Sequence, residues 1–167
     1  MWKKKIEKPQ AKTPERALET LRWLCAKMER CEYDLKASLR RWMVDPQKWD
    51  EIIEKLRDEK FVDNSRYTRA FVGEKLRTGS WGESKIRYHL QRKEISREII
   101  DQTLEELIDK NQTTENLTEL LKRKYQSESR KTDDRYKIKT KLYRWAATRG
   151  FDSAEILKIL ETIINED

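Results

Sequence analysis

The sequence predicts an all-α protein: three tandem three-helix, helix-turn-helix-like repeats forming an elongated body that can curve. Three observations predict it. Four glycines and three prolines in 167 residues leave too few turn signals for an all-β chain. Apolar residues recur at helical spacing behind cap-like residues along nearly the whole length. That pattern then returns with a period near 50 residues, the mark of a repeat architecture.

Composition shapes the rest. With 36% hydrophobic and 41% charged residues, thin helical units that each bury one stripe are easier to build than one thick core. The net charge of +7 and a pI near 9.3 favour polyanionic partners, because each neutralised phosphate releases condensed counterions. A mixed Lys/Glu surface with a modest excess of one sign is the plainer reading of the same numbers. Cys25 and Cys31 are six residues apart, which faces neither thiol toward the other on one helix and suits a reducing compartment. No apolar run approaches the length of a membrane span, and the start, MWKKKIEKPQAK, lacks a signal-peptide apolar region. A soluble, cytoplasmic monomer is expected.

Residues 1–12 carry five lysines and no periodicity, and read as a basic flexible tail. The first repeat, 13–60, opens at Thr13-Pro14, a cap followed by the residue favoured in a first turn. Ala17, Leu18, Leu21, Leu24 and Met28 form its first stripe, ending near Arg30. Leu35, Leu39 and Trp42 form the second. Asp45-Pro46 then opens a third with Trp49, Ile52, Ile53 and Leu56. The second repeat, 61–110, has Asp63 as a cap before Tyr67, Ala70, Phe71 and Leu76, and stops at Gly79. After Gly82 come Ile86 and Leu90; after Ser96, Ile99, Ile100, Leu104 and Leu107. The third repeat, 111–167, starts from a polar loop at Lys110–Thr113, followed by Leu117, Leu120, Leu121 and Tyr125. Ser127–Asp133 reads as another loop. Ile138, Leu142 and Trp145 lead to Gly150, and Asp152-Ser-Ala-Glu155 is a capping-box pattern before Ile156, Leu157, Leu160 and Ile163.

The second helix of each trio carries the repeat. Leu35, Ile86 and Ile138 lie 51 and 52 residues apart, and Leu39, Leu90 and Leu142 repeat those steps. The third helices each hold an adjacent apolar pair: Ile52-Ile53, Ile99-Ile100 and Ile156-Leu157.

Catalytic and metal motifs are missing from the sequence: there is no GxxxxGK[ST], HExxH, CxxC or GxSxG, and one histidine, His89. Asp133-Asp134 reads as a solvated pair beside Arg130, Lys131 and Arg135. No enzyme, cofactor or metal is expected. The positive charge is placed, however. Positions one before, three after and six after the first anchor of each second helix share a face. They are Lys85, His89 and Arg92 in the second repeat and Lys137, Lys141 and Arg144 in the third, against Asp34, Ser38 and Arg41 in the first. Lys75, Arg77 and Arg87 add to the middle repeat and make it the strongest candidate for a phosphate track. Trp81 either closes the corner around the Gly79–Gly82 break or stacks on a base or docks on a partner. The other tryptophans except Trp2 read as core, as do Tyr67 and Phe71.

The central residues resemble the RecX regulators of the bacterial recombinase RecA. The likeness runs through Leu56, Phe61-Val62-Asp63-Asn64, Arg66-Tyr67-Thr68, Phe71-Val72, Lys75, Gly79, Gly82, Lys85-Ile86-Arg87, Leu90, Lys93 and Ile95. Lys141-Leu142-Tyr143-Arg144-Trp145 with Arg149-Gly150-Phe151 looks like that family's C-terminal repeat. Glycine would be expected where Lys60 and Glu94 stand, so these residues either enter the left-handed region at some cost or alter the helix ends slightly, and a glycine-containing turn would be typical where Met43-Val44-Asp45-Pro46 stands. The resemblance implies a non-enzymatic protein that lies in the groove of RecA filaments on single-stranded DNA and modulates, mainly restrains, ATP hydrolysis and strand exchange. Its own hold on single-stranded DNA would be weak and salt-dependent. The alternative is a helical DNA-binding module acting without RecA.

Overall fold

A computed structural model describes residues 11–165. Among them the regular structure is helical: α1 (Pro14–Lys27), α2 (Glu32–Arg41), α3 (Trp49–Asp58) after a 3-10 turn at Pro46–Lys48, α4 (Asn64–Thr78), α5 (Glu83–Arg92), α6 (Arg97–Leu107), α7 (Lys110–Ser129), α8 (Arg135–Ala147) and α9 (Ser153–Asn165). They group into two compact units, residues 11–68 with Lys93–Ile95 and Arg69–Arg92 with residues 96–165.

The helices begin where short polar side chains can satisfy otherwise unpaired N–H groups. Thr13 accepts from Arg16 N at 3.4 Å and Asp63 from Ser65 N at 2.8 Å. Ser96 accepts from Ile99 N at 3.4 Å and Asp134 from Lys137 N at 3.0 Å. Asp152 accepts from Ala154 N and Glu155 N, both at 3.0 Å. The capping box at α9 is only half formed, because the Glu155 carboxylate accepts from the Thr114 hydroxyl of α7 instead of reaching back.

One segment expected as a loop is helical, and so is the start of another, residues 127–129, whereas residues 130–133 form the loop expected there. Lys110–Thr113 is the first turn of α7: Asp109 accepts from Asn111 N and Gln112 N, and Thr113 donates its hydroxyl back to Asp109 O at 2.8 Å. Its exposed first turns carry no apolar period, which hid the helix start. At the other end α7 continues to Ser129, where Glu128 is buried and held by Lys131 and Lys141.

In the first unit Ala17, Leu21, Leu35, Leu39, Val44, Ile52, Ile53, Leu56 and Val62 form one core, with Trp42, Trp49 and Phe61 packed against it. In the second, α7, α8 and α9 enclose Leu117, Leu121, Tyr125, Ile138, Leu142, Ala146, Phe151, Ile156, Ile159, Leu160 and Ile163. Val72, Ile86, Leu90, Ile100 and Leu104 are also buried there. All six repeated anchors of α2, α5 and α8 are therefore inside. The apolar pairs of the third helices are less regular: Ile99 is half-buried, and Leu157 is 41% exposed because α9 buries 156, 159, 160 and 163.

Trp23 corrects its assignment to the core. It is 61% exposed, with Lys27 Nζ 5.6 Å from its ring, since α1 buries the face through Ala17 and Leu21. Trp145 and Trp42 are half-buried, as are Tyr67 and Phe71, whereas Ala70 is exposed and Thr68 and Val72 take the buried face of α4. Of the tail read at 1–12, residues 1–10, with Trp2, lie outside the described residues. Lys12 is tied down: its N–H donates to Trp42 O at 3.0 Å and its Nζ to Thr20 Oγ1 at 3.1 Å.

At Lys60 and Glu94 the left-handed alternative holds, and Met43 shares it. Met43, Lys60 and Glu94 have φ of 53°, 61° and 57°. The next residue closes the end in two of these turns: Val44 N–H donates to Leu39 O at 3.1 Å and Phe61 N–H to Leu56 O at 2.8 Å. Gly150, φ 81°, serves the same role after α8, with Phe151 N–H reaching Ala146 O at 3.4 Å.

Candidate nucleic-acid interface

The break between α4 and α5 gathers side chains that lie far apart along the sequence. Phe71 and Lys75 are one turn apart on α4, and Lys85 and His89 one turn apart on α5, so each pair shares a face. The rings of Phe71 and His89 stack at 4.6 Å with 9° between planes, and Trp81 meets them edge-on at 5.8 Å and 5.4 Å. Two ammonium groups ride on this cluster. Lys75 Nζ is 5.2 Å from both the Phe71 and Trp81 rings, and Lys85 Nζ is 4.7 Å from Trp81. Trp81 thus closes the corner and carries two cations as it does so.

Two glycines make the corner possible for different reasons. Gly79 has φ 58°, a left-handed helix stop that an L side chain enters at a cost. Gly82 is needed for closeness: a Cβ there would sit 2.3 Å from Gly150 O. Its N–H donates to Arg149 O at 2.8 Å and Ser84 N–H to Gly150 O at 3.3 Å, while Lys85 Nζ donates to Thr148 O at 3.3 Å. The start of α5 is therefore docked, backbone to backbone, on the turn that ends α8. A Cβ on Gly150 would in turn meet Lys85 N at 2.3 Å.

The remaining candidate cations divide by what they already hold. Arg87 is occupied: it pairs with Asp101 and with Glu83 at 3.0 Å, and the Asp101 contact raises its pKa while holding the Asp101 carboxyl below its ordinary range. Arg77 and Arg92 are exposed and make no ion pair among the described residues; the Arg92 guanidinium lies 5.9 Å from the Tyr88 ring. On α8, Lys137 pairs with its own N-cap Asp134 at 3.0 Å, and Lys141 with Glu128 at 2.7 Å. Backbone N–H donation from Lys137, and then its ammonium, lower the Asp134 pKa. Glu128 is lowered by Lys141 first and Lys131 second. Arg144 is exposed and makes no ion pair among the described residues. With Lys137, Lys141, Tyr136 and Thr140 it lines an open depression of about 300 Å³.

The matching face of α2 is used internally. Asp34 pairs with Lys93 and accepts from Cys31 Sγ at 3.3 Å, and Ser38 is buried, donating to Asp34 O at 2.9 Å. Burial pushes the Cys31 thiol up to about 11 and raises that of Cys25; both cysteines are free thiols. Asp63 caps α4, and Arg66 pairs with Glu29 at 2.6 Å and donates to Lys60 O at 3.1 Å. Among the described residues no cluster of three or more potential metal ligands occurs, and no helix is long and apolar enough to cross a membrane.

Sequence reasoning overlooked Phe71 as part of the cluster, and Tyr88 and Tyr136 beside the cations. An aromatic that falls off every apolar stripe, as Tyr136 does, is the signal that could have found the last.

The chain is similar to known proteins over most of its length. Residues 63–104 match a family model described as RecX, second three-helix domain, and residues 111–160 one described as RecX, third three-helix domain. A regulatory protein RecX of Clostridium beijerinckii is 31% identical over 152 residues, covering 91% of this chain and 70% of that one. A crystal structure of regulatory protein RecX superposes with a TM-score of 0.76 at 22% identity, over 91% of this chain and 73% of the other. A RecX crystal structure from Lactobacillus salivarius gives 0.70, also at 22% identity, over 92% and 95%. At that identity the two structures speak for the fold.

Proposed function

The chain belongs to the RecX family, and from that membership we propose that it is a non-enzymatic regulator of the RecA recombinase. It binds RecA filaments on single-stranded DNA in the cytoplasm, as a monomer, and restrains ATP hydrolysis and strand exchange during DNA repair and recombination. Three tandem three-helix repeats, divided near residues 60 and 110, carry the surface. The observation that supports this reading most is the cation–aromatic cluster at the α4–α5 break. It presents Lys75 and Lys85 on the faces of Trp81 and Phe71 within residues 63–104, which match the second three-helix domain of RecX. Ammonium groups beside aromatic faces suit a phosphodiester chain with unpaired bases.

The contact surface extends from Lys75, Arg77, Trp81, Lys85, His89 and Arg92 to Lys137, Lys141 and Arg144, with Arg87 held back by its two carboxylates. The test is RecA ATP hydrolysis on single-stranded DNA with and without the protein. A dose-dependent fall is expected, together with slower strand exchange. Unchanged rates of both would sink the proposal, and tight, sequence-selective binding to duplex DNA in the same preparation would favour a RecA-independent module.

A further inference from the structure

Tyr136 stands apart among the aromatics. It is 80% exposed in the first turn of α8, with no ring or cation packed on it among the described residues, whereas Tyr88 (60%) has the Arg92 guanidinium at its ring and Trp23 has Lys27. A lone exposed aromatic needs no explanation. This one lines a depression of about 300 Å³ whose other walls are Lys137, Thr140, Lys141 and Arg144. Three cations, a hydroxyl and an uncovered ring converge there within three turns of one helix.

We propose that this face of α8 is a single-strand nucleic-acid platform, with Tyr136 stacking on an unpaired base and Arg144 taking the adjacent phosphate. The inference rests on the nucleic-acid part of the proposed function and assigns one site to it. Charge complementarity selects the occupant. A polyanion satisfies Arg144, which has no carboxylate partner among the described residues, and competes with Asp134 and Glu128 for Lys137 and Lys141. The ring selects a strand with accessible bases, because a stacked duplex offers none to an exposed phenol. An acidic protein segment would use the cations and leave the ring idle.

The experiment measures binding of the full chain to labelled oligo-dT, to an abasic oligonucleotide with the same number of phosphates, and to a duplex, at low salt. Tyr136→Ala should weaken oligo-dT binding about tenfold and leave abasic and duplex binding unchanged, with Tyr136→Phe close to wild type. Arg144→Ala should weaken all three and reduce the salt slope on single strands by about 0.7. Unaltered thermal unfolding of Tyr136→Ala, expected for so exposed a side chain, ties any loss to the surface. Equal loss on oligo-dT and abasic strands, no loss on either, or no oligo-dT binding by the wild-type chain overturns the inference. RecA turnover does not enter this assay, so an unchanged RecA rate refutes regulation and leaves the platform standing.

Discussion

Gly73, Gly79 and Gly82 lie within ten positions of one another and should respond to alanine in three different ways. Gly73 is inside α4 with nothing within 4 Å of an added Cβ, so Gly73→Ala should stabilise by about 0.5–1 kcal/mol through helix propensity and unfolded-state entropy. At Gly79 the space is ordinary but φ is 58°, and Gly79→Ala should cost about 1 kcal/mol. At Gly82 the Cβ would collide with backbone, which cannot swing away, and Gly82→Ala should cost about 3 kcal/mol. The converse test uses the three left-handed non-glycine residues: Met43→Gly, Lys60→Gly and Glu94→Gly should each stabilise by about 0.5–1 kcal/mol. Urea unfolding midpoints check the whole series, and a uniform response would refute it. The left-handed turns were legible because each interrupts a helical period just before an apolar residue. The Gly82–Gly150 approach was not, because periodicity records burial along one helix and says nothing of which backbones meet. Trp23 failed for a different reason: at helical spacing it lies opposite the face that α1 buries through Ala17 and Leu21, and its apolar bulk outweighed its place on the helix.

Helices α5 and α8 carry basic stripes at the same address, yet the side chains along them differ in what they have left to give. Lys137 and Lys141 face the carboxylates of Asp134 and Glu128, so removing either lysine should weaken filament binding less than Arg144→Ala does. Exposed pairs are worth about 0–1 kcal/mol, and a phosphate can displace them, so a twofold to threefold difference is a reasonable scale. Arg92→Ala should behave like Arg144→Ala, whereas Lys36→Ala with Arg40→Ala in α2 should have little effect. Salt-dependent titration onto RecA-coated strands measures this, and equal losses from α2, α5 and α8 would refute the asymmetry. The stripes could be read from sequence because lysines and anchors share a helix. Their neutralisation could not, since Glu128 was expected in a loop and Asp134 is a cap whose second role emerges only when α7 and α8 pack. The start of α7 was hidden by two polar turns, although Asp109 supplied an ordinary capping signal.

Across the whole molecule, cations hold many carboxylates in the charged form. Arg22 lowers Glu59, Lys55 lowers Glu51, Arg69 lowers Glu106, Arg87 lowers Asp101, and Lys141 with Lys131 lowers Glu128. A folded carboxyl with a depressed pKa contributes stability that is present above its ordinary value, 4.5 for glutamate or 3.8 for aspartate, and is lost as pH falls through the folded value. The protein should therefore lose stability steeply below about pH 4.5 and less steeply at high salt, where surface pairs are screened. Thermal unfolding followed from pH 7 to pH 3 tests this, and a flat profile would count against it. Glu128→Gln should blunt the acid response more than Glu106→Gln, because Glu128 is the buried member of the group.

The docking of α5 on the end of α8 also sets a clock. Gly82 sits in a turn, where a backbone N–H ordinarily exchanges with solvent within moments, but its hydrogen bond runs to Arg149 O. Its exchange with deuterium should follow the slow opening of α8 and α9 and not the fraying of its own corner. The same amide should speed up in a Gly150→Ala chain. A single proton in a short turn would thereby report how often the α8–α9 pair comes apart.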